Sequence, residues 1–117
     1  IASDLRAKGG EVNEVESLYD QLADADVVYM TRIQKERFPD EEEYNRVAGV
    51  YKLSAADLNG SKKGMILMHP LPRVDEIDPS VDSTDHATYF EQAFNGVPTR
   101  MALLCRGLGV NIPKKVK

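Results

Sequence analysis

Two short runs of apolar, β-favouring residues stand out along the chain, Val27-Val28-Tyr29-Met30 and Met65-Ile66-Leu67-Met68. Each is continuous rather than alternating, which predicts strands buried on both faces of a parallel sheet. Helical patterns surround them. Ala2 to Lys8 has a helical mix of residues and is stopped by Gly9-Gly10, where a positive φ is available. Glu11 to Val15 is predicted as a short strand. Glu16 to Ala25, with Leu18, Leu22 and Ala25 on one side, is predicted as a short amphipathic helix. Pro39 and the acidic residues Asp40 to Glu43 suit the start of an exposed helix running to about Ala48.

Ser54 with Asp57 has the spacing of a cap on a short helical turn that ends near Gly60. Thr84 to Phe94 and Val97 to Leu108 are predicted as two helices separated by Asn95-Gly96, with Pro98 in the first turn of the second. The basic tail from Pro113 to Lys117 is expected to fray. Strands alternating with helices over short connections define an α/β class: a three-layer Rossmann-like domain with a mainly parallel sheet, plus C-terminal helices. In such sheets ligands bind beyond the carboxyl ends of the strands. Both unusual polar segments of this chain, Thr31 to Arg37 and His69 to Glu76, follow the two apolar runs directly.

The 117 residues are 42% hydrophobic and contain no stretch approaching a membrane span, so a soluble globular domain without a membrane partner is expected. The opening residues lack the basic start and apolar run of a secretory signal, and Ile1 reads as interior to a longer protein. A net charge of −4 with acidic residues clustered at Asp40 to Glu43 argues against nucleic acid. The single cysteine, Cys105, cannot form an internal disulfide, and two distant histidines do not make a metal site. A reducing, cytoplasmic setting follows. Cys105 lies beside the apolar run Met101 to Leu104 with no neighbouring base, so burial in a helix is expected rather than chemistry.

The first polar segment gathers Arg32, Gln34, Lys35, Glu36 and Arg37 at a strand end. Guanidinium forks bind carboxylates with paired hydrogen bonds, and an amide at Gln34 can serve an amino group or a carboxylate oxygen. A small dianion would fit, and Glu36 is better suited to orienting a guanidinium than to acting as a base. A solvated basic turn fits the same residues. The second segment, His69-Pro70-Leu71-Pro72-Arg73-Val74-Asp75-Glu76-Ile77, is stiffened by its prolines, which leave carbonyls free to accept from a ligand amine or amide. His69 is expected to hydrogen-bond the backbone rather than to catalyse. Arg73 is expected to form an ion-pair cluster with Asp75 and Glu76.

Tyr29-Met30-Thr31-Arg32-Ile33-Gln34-Lys35-Glu36-Arg37 and His69-Pro70-Leu71-Pro72-Arg73-Val74-Asp75-Glu76-Ile77 resemble the two aspartate-domain signatures of the aspartate transcarbamoylase family. Tyr89-Phe90, Gln92, Asn95-Gly96, Arg100 and Ala102-Leu103-Leu104 resemble its C-terminal helices, so the likeness spans essentially the whole chain. The Ser-Thr-Arg-Thr segment that cradles the phosphate in this family is absent from the sequence, as is the His-Pro-x-Gln segment.

The resemblance implies residues 1–96 as the aspartate-binding domain, with the N-terminal carbamoyl-phosphate domain lacking, and residues 97–117 as a helix and tail that pack on that domain. It implies direct attack of the L-aspartate amine on carbamoyl phosphate, with no cofactor and no metal, in an enzyme that is a homotrimer when complete. Substrate would be bound by Arg32, Gln34, Pro70, Leu71 and Pro72, with the backbone carbonyls of Pro70 and Leu71 engaging the reacting groups. Glu36, Arg37, His69 and Arg73 would support them, Arg37 by reaching across the domain cleft. Residues 35–50 would form a loop that closes over the substrates. The chain alone would be inactive. The sister ornithine enzyme has a cysteine after the histidine, where this sequence has Pro70. An isolated binding or folding module is the alternative from another class.

A leucine between two prolines, turning directly after a buried strand, further predicts a cis Leu71–Pro72 peptide.

Overall fold

The computed structural model describes residues 1–47 and 49–110. Helix α1 spans Ala2–Ala7 and ends at Gly9 with φ +82°, as the sequence predicts. Strands β1 (Val27–Tyr29) and β2 (Ile66–Met68) pair in parallel, with Val27 opposite Ile66, Val28 opposite Leu67 and Tyr29 opposite Met68. The ladder continues past β1 through the Met30 N–H to the Met68 carbonyl at 2.9 Å. Helix α2 spans Glu41–Val47, buries no residue, and is capped by Asp40, whose Oδ1 accepts the Glu43 N–H at 2.8 Å. Helix α3 runs over Tyr89–Gly107. The α/β class with a parallel sheet is therefore what the chain adopts.

Because the pairing is in register and side chains alternate, Val28 and Leu67 share one face of the ribbon. There they join Leu22, Met30, Leu53, Leu58, Met65, Ile77, Val81 and Tyr89 in the core. The opposite face carries Val27, Tyr29 and Ile66, which are 52%, 53% and 37% exposed. The expectation of strands buried on both faces thus fails among the described residues, which cover one face and lay only α3 against part of the other. Between β2 and α3 a cleft of about 590 Å³ remains, lined in part by Ile66, Met68, Gln92 and Asn95.

Four local expectations are corrected. Glu11 to Val15 is irregular, because no neighbouring strand accepts it and the Arg6 guanidinium instead takes the Val12 carbonyl at 2.8 Å. In Glu16 to Ala25 only a 3₁₀ turn at Tyr19–Gln21 forms. Leu22 is nevertheless buried and Leu18 and Ala25 pack against the core, so the apolar side is right while the helix is too short to propagate. Ser54 and Asp57 do bond, the Ser54 N–H and Oγ–H donating to Asp57 Oδ2 at 2.7 and 2.6 Å, but they close a turn ending at Gly60 rather than a helix.

The fourth correction concerns the C-terminal helices. Residues before Tyr89 form no helix because they serve the outer edge of β2: the Leu67 N–H donates to the His86 carbonyl and the Thr88 N–H to the Leu67 carbonyl. From Tyr89 onward the helix passes without a break through Asn95-Gly96 and Pro98. Proline in a helix interior removes a donor and crowds the preceding turn, yet the helix continues through Pro98, and Thr99 Oγ1 also donates to the Asn95 carbonyl at 2.7 Å. The expected boundary between residues 96 and 97 falls inside α3. Cys105 lies on α3, partly buried. The expected helix limit at Ala48 and the tail from Pro113 lie outside the described residues. No helix among the described residues is long and apolar enough to cross a membrane.

Candidate functional site

The parallel pairing sends both chains out of the sheet on the same side, so the two polar segments converge there. A cleft of about 760 Å³ opens between them. Its walls are Thr31, Arg32, Ile33, Gln34, Arg37 and Phe38 from the segment after β1, and His69, Pro70, Leu71 and Pro72 from the segment after β2. Every residue expected to bind substrate is among them.

Arg32 is held by Glu36 one helical turn later, through Nη2 to Oε1 at 2.5 Å and Nη1 to Oε2 at 3.4 Å. The 3₁₀ turn at Lys35–Arg37 sets this spacing. The backbone N–H of Glu36 and the Arg32 guanidinium hold the Glu36 carboxyl below the usual carboxylate range, which keeps it an acceptor. Lys35 is directed elsewhere: its Nζ meets Glu41 at 2.6 Å and lies over the Tyr44 ring. Hydrogen bonding to Glu41 raises the Lys35 pKa, and the same bond lowers that of Glu41. Phe38 and Tyr44 meet edge to face at 5.8 Å, so the segment after β1 is tied to α2. Among the described residues neither Gln34 nor Arg37 has a side-chain hydrogen bond.

On the other wall the Leu71–Pro72 peptide is cis, as expected from the sequence, and Leu71 has φ +49°. Among the described residues no hydrogen bond takes the carbonyl of Pro70 or Leu71. His69 is 1% exposed and makes the expected backbone contact, its Nδ1 accepting the Leu71 N–H at 2.8 Å. Its own N–H donates to Gln92 Oε1 of α3 at 3.0 Å, and Gln92 Nε2 donates to the Tyr29 hydroxyl.

The expected cluster of Arg73 with Asp75 and Glu76 does not form. Glu76 turns inward instead, with Oε1 2.6 Å from His69 Nε2 and Oε2 accepting the N–H groups of Val74 and Asp75. Burial opposes its charge, but its own backbone N–H, those of Val74 and Asp75, and His69 together hold its carboxyl below the usual range. Arg73 turns the other way and grips Asp82 with both Nη atoms, while Nη1 also donates to the Tyr89 hydroxyl at 3.1 Å. Its guanidinium lies over the rings of Tyr89 and Phe90. Tertiary folding decides this, because Asp82 comes from the 3₁₀ turn Pro79–Ser83 and Tyr89 from the start of α3. Neither Asp82 nor the inward role of Glu76 has a periodic signal in the sequence. The prolines of the second segment were the available hint that adjacent charges would be forced apart.

Hydrogen bonding from Arg73 and Tyr89 lowers the Asp82 pKa to about 2, while burial and the Asp82 charge push Tyr89 up to about 12. A carboxylate depressed on folding stabilises the fold above its unfolded pKa and loses that contribution as pH falls through its folded one. Asp82→Asn should therefore destabilise the chain by about 1 kcal/mol at neutral pH, because solvent screens a pair whose carboxylate is a third exposed. The difference from the unsubstituted chain should shrink to nothing between about pH 4 and pH 2, as read by urea unfolding at each pH.

A cationic cleft with bare carbonyls at the carboxyl ends of a parallel sheet defines an α/β domain equipped for a small anionic ligand that also donates hydrogen bonds. The family model for the aspartate/ornithine carbamoyltransferase Asp/Orn-binding domain matches residues 1–106. This chain belongs to that family. It is 56% identical over 112 residues to the aspartate carbamoyltransferase catalytic subunit of Methanocella arvoryzae, covering 96% of this chain and 36% of that subunit. In structure it is similar to the catalytic subunit of M. jannaschii aspartate transcarbamoylase, with a TM-score of 0.78 and 53% identity over 89% of this chain and 34% of that one. It also resembles the Trypanosoma cruzi aspartate transcarbamoylase solved with carbamoyl phosphate and aspartate, with a TM-score of 0.77 and 36% identity over 87% of this chain and 33% of that one. The chain thus spans about a third of the length of these relatives.

Proposed function

We propose that this chain is the aspartate-binding part of an aspartate carbamoyltransferase acting in pyrimidine biosynthesis. The observation that carries the reading is the convergence of the Arg32 fork and the uncommitted carbonyls of Pro70 and Leu71 on one cleft. In the proposed reaction the L-aspartate amine attacks the carbonyl carbon of carbamoyl phosphate. A C–N bond forms, the C–O bond to phosphate breaks, phosphate leaves with the electron pair, and the amine gives up a proton. Catalysis is then placement and charge stabilisation without a covalent enzyme intermediate.

Arg32, oriented by Glu36, pairs with an aspartate carboxylate, and Gln34 serves the backbone end of the substrate. The Pro70 and Leu71 carbonyls accept from the reacting amine and the carbamoyl nitrogen, beside Pro72. Arg37 reaches across the cleft, His69 and Arg73 support the second wall, and residues 35–50 close over the bound pair. Carbamoyl phosphate is held by a domain outside this chain, and the complete enzyme is a cytoplasmic homotrimer. Ornithine suits the cleft poorly, because its cationic side chain would face Arg32 and Arg37. The test is carbamoylation by this chain completed with a carbamoyl-phosphate-binding half. N-carbamoyl-aspartate is expected from aspartate, with no product from ornithine. Preference for ornithine would overturn the reading.

A further inference from the structure

Leu71 stands between two prolines with φ +49°, a left-handed conformation that an L-residue with a bulky side chain holds only under external constraint. The constraint is a buried chain of hydrogen bonds. The Leu71 N–H donates to His69 Nδ1 at 2.8 Å, which makes Nδ1 an acceptor and assigns the proton of the neutral ring to Nε2. That proton faces Glu76 Oε1 at 2.6 Å, and Glu76 Oε2 is fixed by two backbone N–H groups. His69 is 1% and Glu76 4% exposed, so water does not compete for these contacts. The Pro70–Leu71 peptide is not among the cis bonds, so in its plane the Leu71 N–H and the Pro70 carbonyl point in opposite directions. Pinning one aims the other.

We propose that Glu76 and His69 are positioning residues, a buried relay that locks the Pro70–Leu71 peptide and thereby aims the Pro70 carbonyl, one of the two proposed to receive the reacting nitrogen atoms. The inference rests on the carbamoyltransferase reading of the cleft. It also removes His69 as a proton acceptor for the substrate amine, since both ring nitrogens are engaged and the ring is buried. The relay explains why a carboxylate sits in the core beneath a site whose ligand is an anion: Glu76 is neutralised locally by N–H donors and acts through the imidazole.

Two substitutions separate the ends of the relay. In His69→Asn the side-chain oxygen can stand where Nδ1 stands and still accept the Leu71 N–H, while the contact to Glu76 is lost. In His69→Gln the amide can stand where Nε2 stands and keep Glu76, while the Leu71 N–H loses its acceptor. In the completed enzyme, kcat for His69→Gln should fall on the order of 100-fold, at least ten times further than for His69→Asn, with the aspartate KM moved less than kcat. A loss in His69→Gln no larger than in His69→Asn would mean that the Leu71 N–H contact does not aim the peptide and would overturn the proposal. Nitrogen-15 NMR of the unsubstituted chain gives a readout independent of activity and of mutant folding. The His69 ring should show a protonated Nε2 and an unprotonated Nδ1, and the reverse tautomer would equally overturn it. If the unsubstituted completed enzyme makes no N-carbamoyl-aspartate, the functional reading fails, while the tautomer still decides whether the relay exists.

Discussion

Replacing Arg32 with alanine in the completed enzyme is expected to lower kcat/KM for aspartate by about 3 kcal/mol, roughly 150-fold. Two effects add. The substitution removes the guanidinium fork proposed to pair with a substrate carboxylate, a charge-assisted contact about twice as strong as a neutral one. It also strands Glu36, which now meets Arg32 with both oxygens and would instead face an incoming dianion with an uncompensated negative charge. Arg32→Lys should recover only part of the loss, because an ammonium supplies charge without the planar fork. Adding Glu36→Gln to Arg32→Ala should restore activity relative to the single variant by removing the stranded charge. The check is steady-state kinetics at varied aspartate with saturating carbamoyl phosphate. Near-normal use of aspartate by Arg32→Ala would show that the carboxylate site lies elsewhere.

The 117-residue chain by itself is expected to form no N-carbamoyl-aspartate, and adding a carbamoyl-phosphate-binding half should restore turnover. The basis is partly what the cleft contains: its cations sit on one wall, with Arg32 already engaged by Glu36, and the opposite wall is carbonyls and prolines. An electrophile carrying a phosphate needs a further set of donors. The second basis is exposed apolar surface. Phe94, Val97, Met101, Leu104 and Leu108 of α3 and its C-cap are 72%, 56%, 60%, 66% and 78% exposed, and the open face of the sheet adds Val27 and Tyr29. Apolar surface gathered in this way favours association. Sedimentation of the lone chain should show concentration-dependent self-association that the added half suppresses, as α3 packs on its proposed partner domain. Product formation by the lone chain, unchanged by the added half, would contradict the proposal.

The chain's own sequence determined the parts governed by local chemistry. The apolar runs at Val27 and Met65 became the paired strands. Asp40 capped α2, and Gly9 and Gly60 took the positive φ their turns required. The two polar segments were legible as one site because parallel strands must deliver their carboxyl ends to the same side. Tertiary structure decided the rest. A strand at Glu11 to Val15 needed a neighbouring strand that the described residues do not supply, while Glu16 to Ala25 set its apolar side on the core as a short turn rather than a helix. Asn95-Gly96 and Pro98 punctuate the sequence without interrupting α3, since a long helix tolerates a local cost that would end a short one. The charges of the second segment show the division most clearly. Arg73, Asp75 and Glu76 are neighbours in sequence, yet Arg73 reaches Asp82 and Tyr89 while Glu76 passes under the turn to His69. Sequence adjacency gives charges proximity, but burial selects partners, because a carboxylate taken from water must find fixed donors and only the folded chain sets where those donors stand.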